Sequence, residues 1–260
     1  MASIWHVLTI LNNMDENLRI IDAPRIVVAV DGYSSSGKST MARELAKRVG
    51  YIYVDSGAMY RAVTLFALRE GMINESGSID KEKLIPELSG LAVSFQQLPG
   101  EDGVQHTLLN GEDVEKEIRE MKVSNHVSPI AEIPEVRERM VQLQHKMGKL
   151  KGIVMDGRDI GTTVFPEAEL KVFVCAGLHE RARRRWRELN QKGLEITFEE
   201  VYANLEERDR IDTTREVSPL TKAADAIELD NGAITHEEQM EWFLRHFHDT
   251  ISKLQDESRN

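Results

Sequence analysis

The chain contains a single cysteine, Cys175, among its 260 residues. One thiol excludes an internal disulfide, and Cys175 lies in the apolar run 170–175, where a small buried hydrophobic residue is the simplest interpretation. No apolar stretch approaches the roughly 20 residues that a membrane span needs. The mildly apolar segment 4–11 lacks the basic flank and small-residue cleavage site of a secretory signal. These absences predict a cytoplasmic protein with no membrane partner.

Positive charge is also scarce, because 33 lysines and arginines stand against 44 aspartates and glutamates, for a formal net charge of −11. Non-specific nucleic-acid binding requires a basic surface that neutralises phosphates, so we expect no nucleic-acid partner. An anionic ligand must therefore meet a local concentration of arginines. The composition, 41% hydrophobic and 30% charged, is that of a packed globular protein.

Hydrophobic patterning predicts alternating strands and helices from Ile26 onwards. Residues 26–30 form a β-branched run without polar alternation, which is typical of a parallel strand covered on both faces. Apolar residues then recur at helical spacing up to Val49, and Gly50 follows where a helix end favours a left-handed residue. Later runs predict strands at 51–54, 153–155, 170–175 and 226–229, and helices at 58–69, 178–210 and 235–254. This alternation indicates an α/β fold with a parallel sheet.

The chain divides into three parts by pattern. Residues 1–24 show no periodicity and contain a second methionine, Met14, so we assign this N-terminal tail no function. Residues 84–151 interrupt the alternation with two strand-like runs around a turn rich in glycine and acids, and then with helices broken by prolines. We predict that they form an inserted subdomain, and that residues 25–83 and 152–260 form the core.

The segment 32–40, GYSSSGKST, matches the phosphate-binding pattern GxxxxGK[ST] between a predicted strand and a predicted helix. In such a P-loop, backbone N–H groups and the start of the helix surround a phosphate. The lysine of the motif, Lys38, is then expected to bridge the β- and γ-phosphates, and Ser39 to ligate Mg²⁺. The predicted ATP-binding residues are Gly32, Tyr33, Ser34, Ser35, Ser36, Gly37, Lys38, Ser39 and Thr40. The alternative is an ordinary turn that caps a helix through Ser39.

The segment DSGAMYR at 55–61 follows a predicted strand and begins a helix, at the edge of the sheet where ligands bind. Arg61 is then placed to reach the phosphate of an acceptor molecule. The alternative is a plain helix start with Ser56 as its cap and Arg61 in solvent.

The segment MDGRDIGT at 155–162 also follows a predicted strand and places an arginine between two acids in a glycine-rich loop. Arg158 suits bidentate phosphate binding, Asp159 suits an exocyclic amine, and Asp156 suits a metal-bound water. A loop held by structural salt bridges is the alternative.

Arginines are concentrated again between residues 181 and 215. The segment RDRIDTTR at 208–215 follows a helical stretch with five more arginines, which are Arg181, Arg183, Arg184, Arg185 and Arg187. As a set, these cations suit closure over a triphosphate. Individually, Arg183, Arg184 and Arg187 are expected on a solvated helix face.

The four segments GYSSSGKST, DSGAMYRA, DGRDIGTTVFPEA and RDRIDTTREVSPL, in this order and spacing, resemble the bacterial cytidylate kinase family over about residues 26–229. The resemblance implies the P-loop fold of nucleoside monophosphate kinases, with a five-stranded parallel sheet flanked by helices. It also implies that residues 84–151 bind the monophosphate and that residues 181–216 form a helical lid. The implied activity is ATP-dependent phosphorylation of CMP and dCMP with Mg²⁺, and we expect a monomer.

The resemblance further implies roles for individual residues. It implies that Arg61, Arg158 and Arg215 bind the acceptor phosphate. It also implies that Ser128, Arg137 and Asp159 bind cytosine, and that Arg208 and Asp212 bind the ribose. The predicted CMP-binding residues are Ser56, Tyr60, Arg61, Ser128, Arg137, Gly157, Arg158, Asp159, Arg208, Asp212 and Arg215. The predicted catalytic residues are Lys38, Arg158 and Arg215. The P-loop departs from the commoner family form, which has proline at the position of Tyr33 and glycine or alanine at those of Ser35 and Ser36.

No histidine occurs in these motifs, and none is expected. The second pKa of a nucleoside monophosphate is about 6, so the attacking phosphate oxygen is already ionised at neutral pH. Two other functions remain open from the residues alone. One is a P-loop kinase that acts on UMP, AMP or a non-nucleotide acid, and the other is a nucleotide-dependent switch protein.

Overall fold

The computed structural model describes residues 24–97 and 105–259, so the predicted tail lies outside the described residues except for Pro24. The first elements are β1 (Val27–Gly32), α1 (Lys38–Val49), β2 (Ile52–Asp55), α2 (Ser56–Arg69) and α3 (Lys81–Glu87). The next are β3 (Val93–Gln97), β4 (Gln105–Leu109), β5 (Glu112–Asp113), a 3-10 turn (Glu117–Arg119), α4 (Met121–Ser124), α5 (Val127–Glu132) and α6 (Pro134–Gly148). The last are β6 (Ile153–Gly157), a π-helical turn (Ile160–Val164), β7 (Leu170–Cys175), α7 (Leu178–Gln191), α8 (Phe198–Thr214), β8 (Ile227–Asp230) and α9 (His236–Glu257).

Five of the strands form the parallel sheet that was predicted, in the order β2-β6-β1-β7-β8. Strand β1 lies at the centre, where Val30 pairs with Asp156 on one side and with Val172 on the other. All six residues of β1 are buried, which explains why its sequence shows no polar alternation. The carboxyl ends of β1, β2 and β6 therefore meet at one edge and carry the three glycine-rich or acidic motifs.

Both faces of the sheet are covered by apolar layers. Val28 and Val30 face a cluster that includes Leu45 of α1 and Phe243 of α9, whereas Val27 and Ala29 face the opposite layer around the π-helical turn. Complete burial of a valine, leucine or phenylalanine side chain stabilises a fold by about 1.5–3 kcal/mol. These two layers hold β1, and with it the start of the P-loop, in a fixed position.

The region after α3 contains its own small antiparallel sheet, in the order β3-β4-β5. Its apolar residues share one buried cluster with α2, in which Leu65 joins Leu84, Ile118, Ile130 and Met140. The predicted subdomain at 84–151 thus packs against α2, and the two share one apolar cluster. Its boundaries stay a prediction.

Helices α7 and α8 form a hairpin over the carboxyl edge of the sheet. Ala182, Leu189, Val201 and Leu205 are its buried apolar contacts, and a capping box of Thr197 and Glu200 begins α8. None of the helices in the described ranges combines the length and the apolar character that crossing a membrane requires.

Candidate functional site

Two glycines shape the loop between β1 and α1. A Cβ atom on Gly32 would lie 2.1 Å from the carbonyl oxygen of Val174, and one on Gly37 would lie 2.4 Å from Nδ2 of Asn231. Gly37 also has a left-handed φ of 93° and is the N-cap of α1 without any side-chain cap. The alternative that Ser39 caps this helix is therefore wrong. The first N–H groups of α1 are left to face the cleft, which suits a phosphate group.

Lys38, Ser39 and Asp156 lie together at the start of α1. The Ser39 hydroxyl donates a 2.7 Å hydrogen bond to Asp156 Oδ2, and Lys38 Nζ lies 4.0 Å from the same oxygen. Lys38 Nζ also donates to the carbonyl oxygen of Tyr33 at 3.1 Å. Burial and then the nearby Arg158 lower the pKa of Lys38 to about 7, so an anionic ligand at this point would stabilise its charged form.

The start of α2 differs from the plain helix start that was the alternative for this motif. The carboxylate of Asp55, and not the hydroxyl of Ser56, caps the helix by accepting from Ala58 N at 3.0 Å. Ser56 instead donates to the carbonyl oxygen of Asp156 at 2.7 Å. Arg61 is buried, and its guanidinium donates to Ser124 Oγ at 2.9 Å. The helix therefore presents Arg61 inward rather than to solvent.

Arg158 connects the P-loop to the hairpin of α7 and α8. Its Nε atom donates to Asp212 Oδ2 at 2.8 Å, and another guanidinium nitrogen donates to Ser34 Oγ at 2.7 Å. Asp212 also accepts from Ser128 Oγ at 3.1 Å. Three motifs that are far apart in sequence are thus joined around one guanidinium group.

The eleven residues predicted to bind CMP all line one pocket of about 430 Å³. The complete lining is Ser56, Gly57, Tyr60, Arg61, Val127, Ser128, Ala131, Arg137, Gly157, Arg158, Asp159, Arg208, Asp212 and Arg215. Among the described residues, four polar atoms of this lining are buried without a hydrogen-bond partner, namely Tyr60 OH, Arg137 Nε, Arg208 Nε and one terminal nitrogen of Arg215. Unpaired buried donors are costly, so the pocket is built for a polar ligand.

Positive charge in this region exceeds what the neighbouring acids neutralise. Burial and then Arg158 lower the pKa of Arg208 to about 10. Burial and then Arg208 hold the pKa of Arg61 well below its usual range. Mutual repulsion of this kind is relieved when an anion binds between the guanidinium groups. The salt-bridge alternative for residues 155–162 is accordingly incomplete, because Arg158 is paired with Asp212 whereas Arg61 and Arg208, which line the same pocket, make no ion pair within the described residues.

A larger cleft of about 1410 Å³ lies beside this pocket and is lined by six of the nine predicted ATP-binding residues. These six are Ser34, Ser35, Gly37, Lys38, Ser39 and Thr40. The other three do not line it: Gly32 lies against Val174, Ser36 is buried, and Tyr33 lies under the guanidinium of Arg181 at 5.0 Å. The pocket and the cleft share Arg61, Arg158 and Arg208 at their junction.

One expectation about the arginines of α7 is wrong. Arg184 is half-buried, lines the cleft and donates to the carbonyl oxygens of Asn231 and Gly232 at 2.7 and 3.2 Å. Its spacing on a charged helix gave no sign of this, because the acceptors follow β8 and are distant in sequence. Arg183 and Arg187 are exposed, as expected.

Sequence reasoning missed several residues of the site, and four of them hold its side chains or backbone by hydrogen bonds. Tyr53 donates to Asp156 Oδ1 at 2.7 Å, and Arg119 donates to Asp55 Oδ2 at 3.0 Å. Asn231 donates from Nδ2 to the carbonyl oxygen of Ser36 at 2.7 Å, and Asp31 accepts from the backbone after Asp159. Of these four residues, only Asp31 had a signal in the sequence. It is an acid near the end of an otherwise apolar strand, and a buried carboxylate needs hydrogen-bond partners.

The chain matches the model of the family described as cytidylate kinase over residues 28–249. It is 57% identical to a cytidylate kinase of Porphyromonas gingivalis, over 85% of this chain and 96% of that protein. It is 55% identical to one of Phocaeicola vulgatus, over 88% and 99% of the two chains, and 52% identical to one of Flavobacterium psychrophilum, over 85% and 96%. The family match spans the P-loop, the pocket and the hairpin of α7 and α8. The protein belongs to the cytidylate kinase family.

Proposed function

We propose that this protein transfers the γ-phosphate of ATP to the phosphate of CMP and dCMP, giving CDP and dCDP. The observation that carries the proposal is the junction of the two cavities. Arg61, Arg158 and Arg208 line both the pocket and the cleft, so two anions held there meet between the same guanidinium groups. The identity to cytidylate kinases over most of the chain supports the choice of acceptor.

The cleft is the proposed donor site. The N–H groups at the start of α1 and the ammonium group of Lys38 would hold the β- and γ-phosphates, because Gly37 leaves this helix end without a side-chain cap. Arg184 and Arg185 line the same cleft from α7. The hairpin of α7 and α8, within the predicted lid at 181–216, would exclude water from the reacting phosphates.

The pocket is the proposed acceptor site. Arg61, Arg158 and Arg215 would hold the acceptor phosphate. Asp159, paired with Arg137 and 3.8 Å from Arg215, would accept a hydrogen bond from the exocyclic amine of cytosine. Ser128 and Arg137 would complete base recognition, while Arg208 and Asp212 would bind the ribose. Orphaned donors on Tyr60, Arg137 and Arg208 offer the hydrogen bonds that a nucleotide can use.

Ser39 and Asp156 suit a magnesium ion that accompanies ATP. They offer oxygen ligands 2.7 Å apart at the start of α1, and Mg²⁺ prefers oxygen ligands and retains several waters. When bound, the ion neutralises charge on the β- and γ-phosphate oxygens. Ser39 would contact it directly and Asp156 through water.

The chain's own residues supply positioning and charge rather than proton transfer. The acceptor oxygen is already ionised at neutral pH, so no general base is required. Lys38 and Arg158, together with Arg215, are the proposed catalytic residues. They would hold the two phosphates in line and offset the charge that develops on the transferring group.

An acceptor panel tests this function. The purified protein is incubated with ATP and Mg²⁺ and with CMP, dCMP, UMP, AMP, shikimate or no acceptor, and ADP release is coupled to NADH oxidation. We expect rapid turnover with CMP and dCMP, and loss of at least about a hundredfold in turnover for Lys38→Ala, which removes a charge acting on the transferring phosphate. A preference for UMP or AMP would reassign the base specificity. ADP release that does not depend on an acceptor would favour the switch protein.

The remaining features of the proposal concern the cell and the assembly. The proposed enzyme is a monomer. The single thiol of Cys175 supports a reducing, cytoplasmic location. The net charge of −11 supports the absence of a nucleic-acid partner.

A further inference from the structure

Asp31 is a buried acid that the proposed chemistry does not use. It is the penultimate residue of β1, it is 5% exposed, and no cationic side chain in the described ranges bonds to it. Its two oxygens instead accept from consecutive backbone amides, Ile160 N on Oδ1 and Gly161 N on Oδ2, each at 2.7 Å. Both amides begin the π-helical turn that follows Arg158 and Asp159.

This arrangement replaces an ordinary helix cap. The N-cap position of the turn is held by Asp159, a residue type that commonly caps its own helix by accepting from the first N–H groups. Asp159 makes no such bond here. Its carboxylate is paired with Arg137 and faces the acceptor pocket. Asp31 takes over the capping from a neighbouring strand, so Asp159 is available to a ligand.

Asp31 is itself rigidly held. It pairs with Gly157 of β6 and with Phe173 of β7 in the middle of the sheet, directly before Gly32 of the P-loop. A Cβ atom on Gly161 would already lie 3.4 Å from Asp31 Oδ2 and 3.2 Å from Cδ of Lys171. The turn therefore has little room to move while both hydrogen bonds persist.

We propose that Asp31 is a positioning residue for base recognition, which acts by capping the turn at Ile160 and Gly161 and thereby keeps the Asp159 carboxylate pointing into the acceptor pocket. This inference rests on the proposed function. Without the Asp31 carboxylate, the amides of the turn would be unpaired, and the Asp159 side chain would rotate to cap them. The enzyme would then lose its acceptor for the exocyclic amine, which CMP has and UMP lacks.

The test compares the kcat/KM values for CMP and UMP at pH 8. Asp31→Asn keeps the side-chain volume but presents an NH₂ group to one of the two amides. We expect the ratio of kcat/KM for CMP to that for UMP to fall about tenfold, mainly through KM for CMP, because one buried donor loses its partner. KM for ATP should stay within about twofold, because the substitution changes no residue of the P-loop and acts on the separate turn at Ile160 and Gly161. A wild-type ratio in a folded Asp31→Asn protein would overturn the proposal.

Two further variants separate positioning from a structural role. Val28→Ala weakens the same strand away from the turn, so it should lower the melting temperature and leave the CMP-to-UMP ratio unchanged. Asp159→Asn should lower the ratio by itself, and the double variant Asp31→Asn/Asp159→Asn should show no further loss. Additive losses in the double variant would show that Asp31 does not act through Asp159 and would also overturn the proposal.

A variant that does not fold and a wild-type protein without activity towards CMP are each recognised separately. If Asp31→Asn does not fold, Asp31→Ser, which is smaller and keeps one acceptor oxygen, undergoes the same comparison with the same criteria. Failure of the wild-type protein to phosphorylate CMP at all would instead contradict the proposed function, and it is recorded in the acceptor panel before any variant is made.

Discussion

Tyr53 donates a hydrogen bond to Asp156 across the end of two neighbouring strands, with 2.7 Å between the phenol oxygen and Oδ1. The Ser39 hydroxyl donates a hydrogen bond of 2.7 Å to the other oxygen of the same carboxylate. Both partners are needed because Asp156 is 1% exposed, and burial followed by the nearby Asp55 raises its pKa. The phenol therefore orients the carboxylate that we assign to a water of the magnesium ion.

Tyr53→Phe removes only this hydroxyl, so it isolates the contribution of the bond. A buried hydrogen bond to a charged carboxylate contributes about 1.5–3 kcal/mol, which predicts that half-maximal activity will require at least about tenfold more Mg²⁺. The measurement is a titration of Mg²⁺ at fixed ATP and CMP. Tyr51→Phe is the matched control, because the Tyr51 hydroxyl bonds to Ile26 N, away from the site. An equal Mg²⁺ requirement in Tyr53→Phe and Tyr51→Phe would remove Tyr53 from this role.

Arg158→Ala should weaken CMP binding and largely preserve ATP binding. Hydrogen bonds to a charged group contribute about 1.5–3 kcal/mol, so we expect the Kd for CMP to rise about 30-fold in isothermal titration calorimetry. Arg187→Ala, which removes an exposed arginine of α7, should leave the Kd unchanged. An unaltered Kd for Arg158→Ala would exclude this guanidinium from the acceptor site.

Asn231 connects the P-loop to α9 by two side-chain hydrogen bonds. Its Nδ2 atom donates to the Ser36 carbonyl oxygen, and its Oδ1 accepts from Gln239 Nε2 of α9. Asn231→Ala leaves the buried carbonyl unpaired, and we predict a rise of about tenfold in KM for ATP with KM for CMP nearly constant. Asn190→Ala is the control, because this exposed side-chain amide bonds only within the hairpin of α7 and α8. A parallel rise in both KM values would indicate general loosening instead.

The stability of the protein should depend on the ionisation of Asp31. Burial raises the pKa of this carboxyl to about 7, against 3.8 in an unfolded chain. The folded state therefore binds the extra proton between these values, so the free energy of unfolding falls as pH rises from about 4 to about 7 and levels off above. Asp31→Asn lacks this group, so its stability relative to the wild type should increase by about 2–3 kcal/mol between pH 5 and pH 8, because pH 5 lies about two units below the folded pKa. Urea unfolding at both pH values measures the difference, and a constant difference would contradict the shifted pKa.

Much of the fold was predictable because its signals are local. The β-branched run of β1, the spacing of Leu45 and Val49 in α1, and the glycines at 32 and 37 each encode a structure within a few neighbouring residues. The structure places these elements within a few residues of their predicted bounds. The five-stranded parallel sheet, implied by the family resemblance, is confirmed.

The site was predictable only where a motif carried it. Arg61 and Arg158 were found because they occur in glycine-containing segments after strands, and Ser128 and Arg137 came from the resemblance alone. Asn231 has no motif, since its partner Ser36 is 195 residues away along the chain. Such contacts depend on how the strands are ordered in the sheet, which local patterns do not determine.

Transfer of labelled phosphate from ATP to CMP is the most direct test of the proposed activity. The wild-type protein is incubated with ATP labelled at the γ-phosphate and with CMP, and the nucleotides are separated by chromatography. We expect the label to appear in the β-phosphate of CDP, in an amount equal to the ADP formed. Label that appears only as inorganic phosphate, with CMP unchanged, would contradict it.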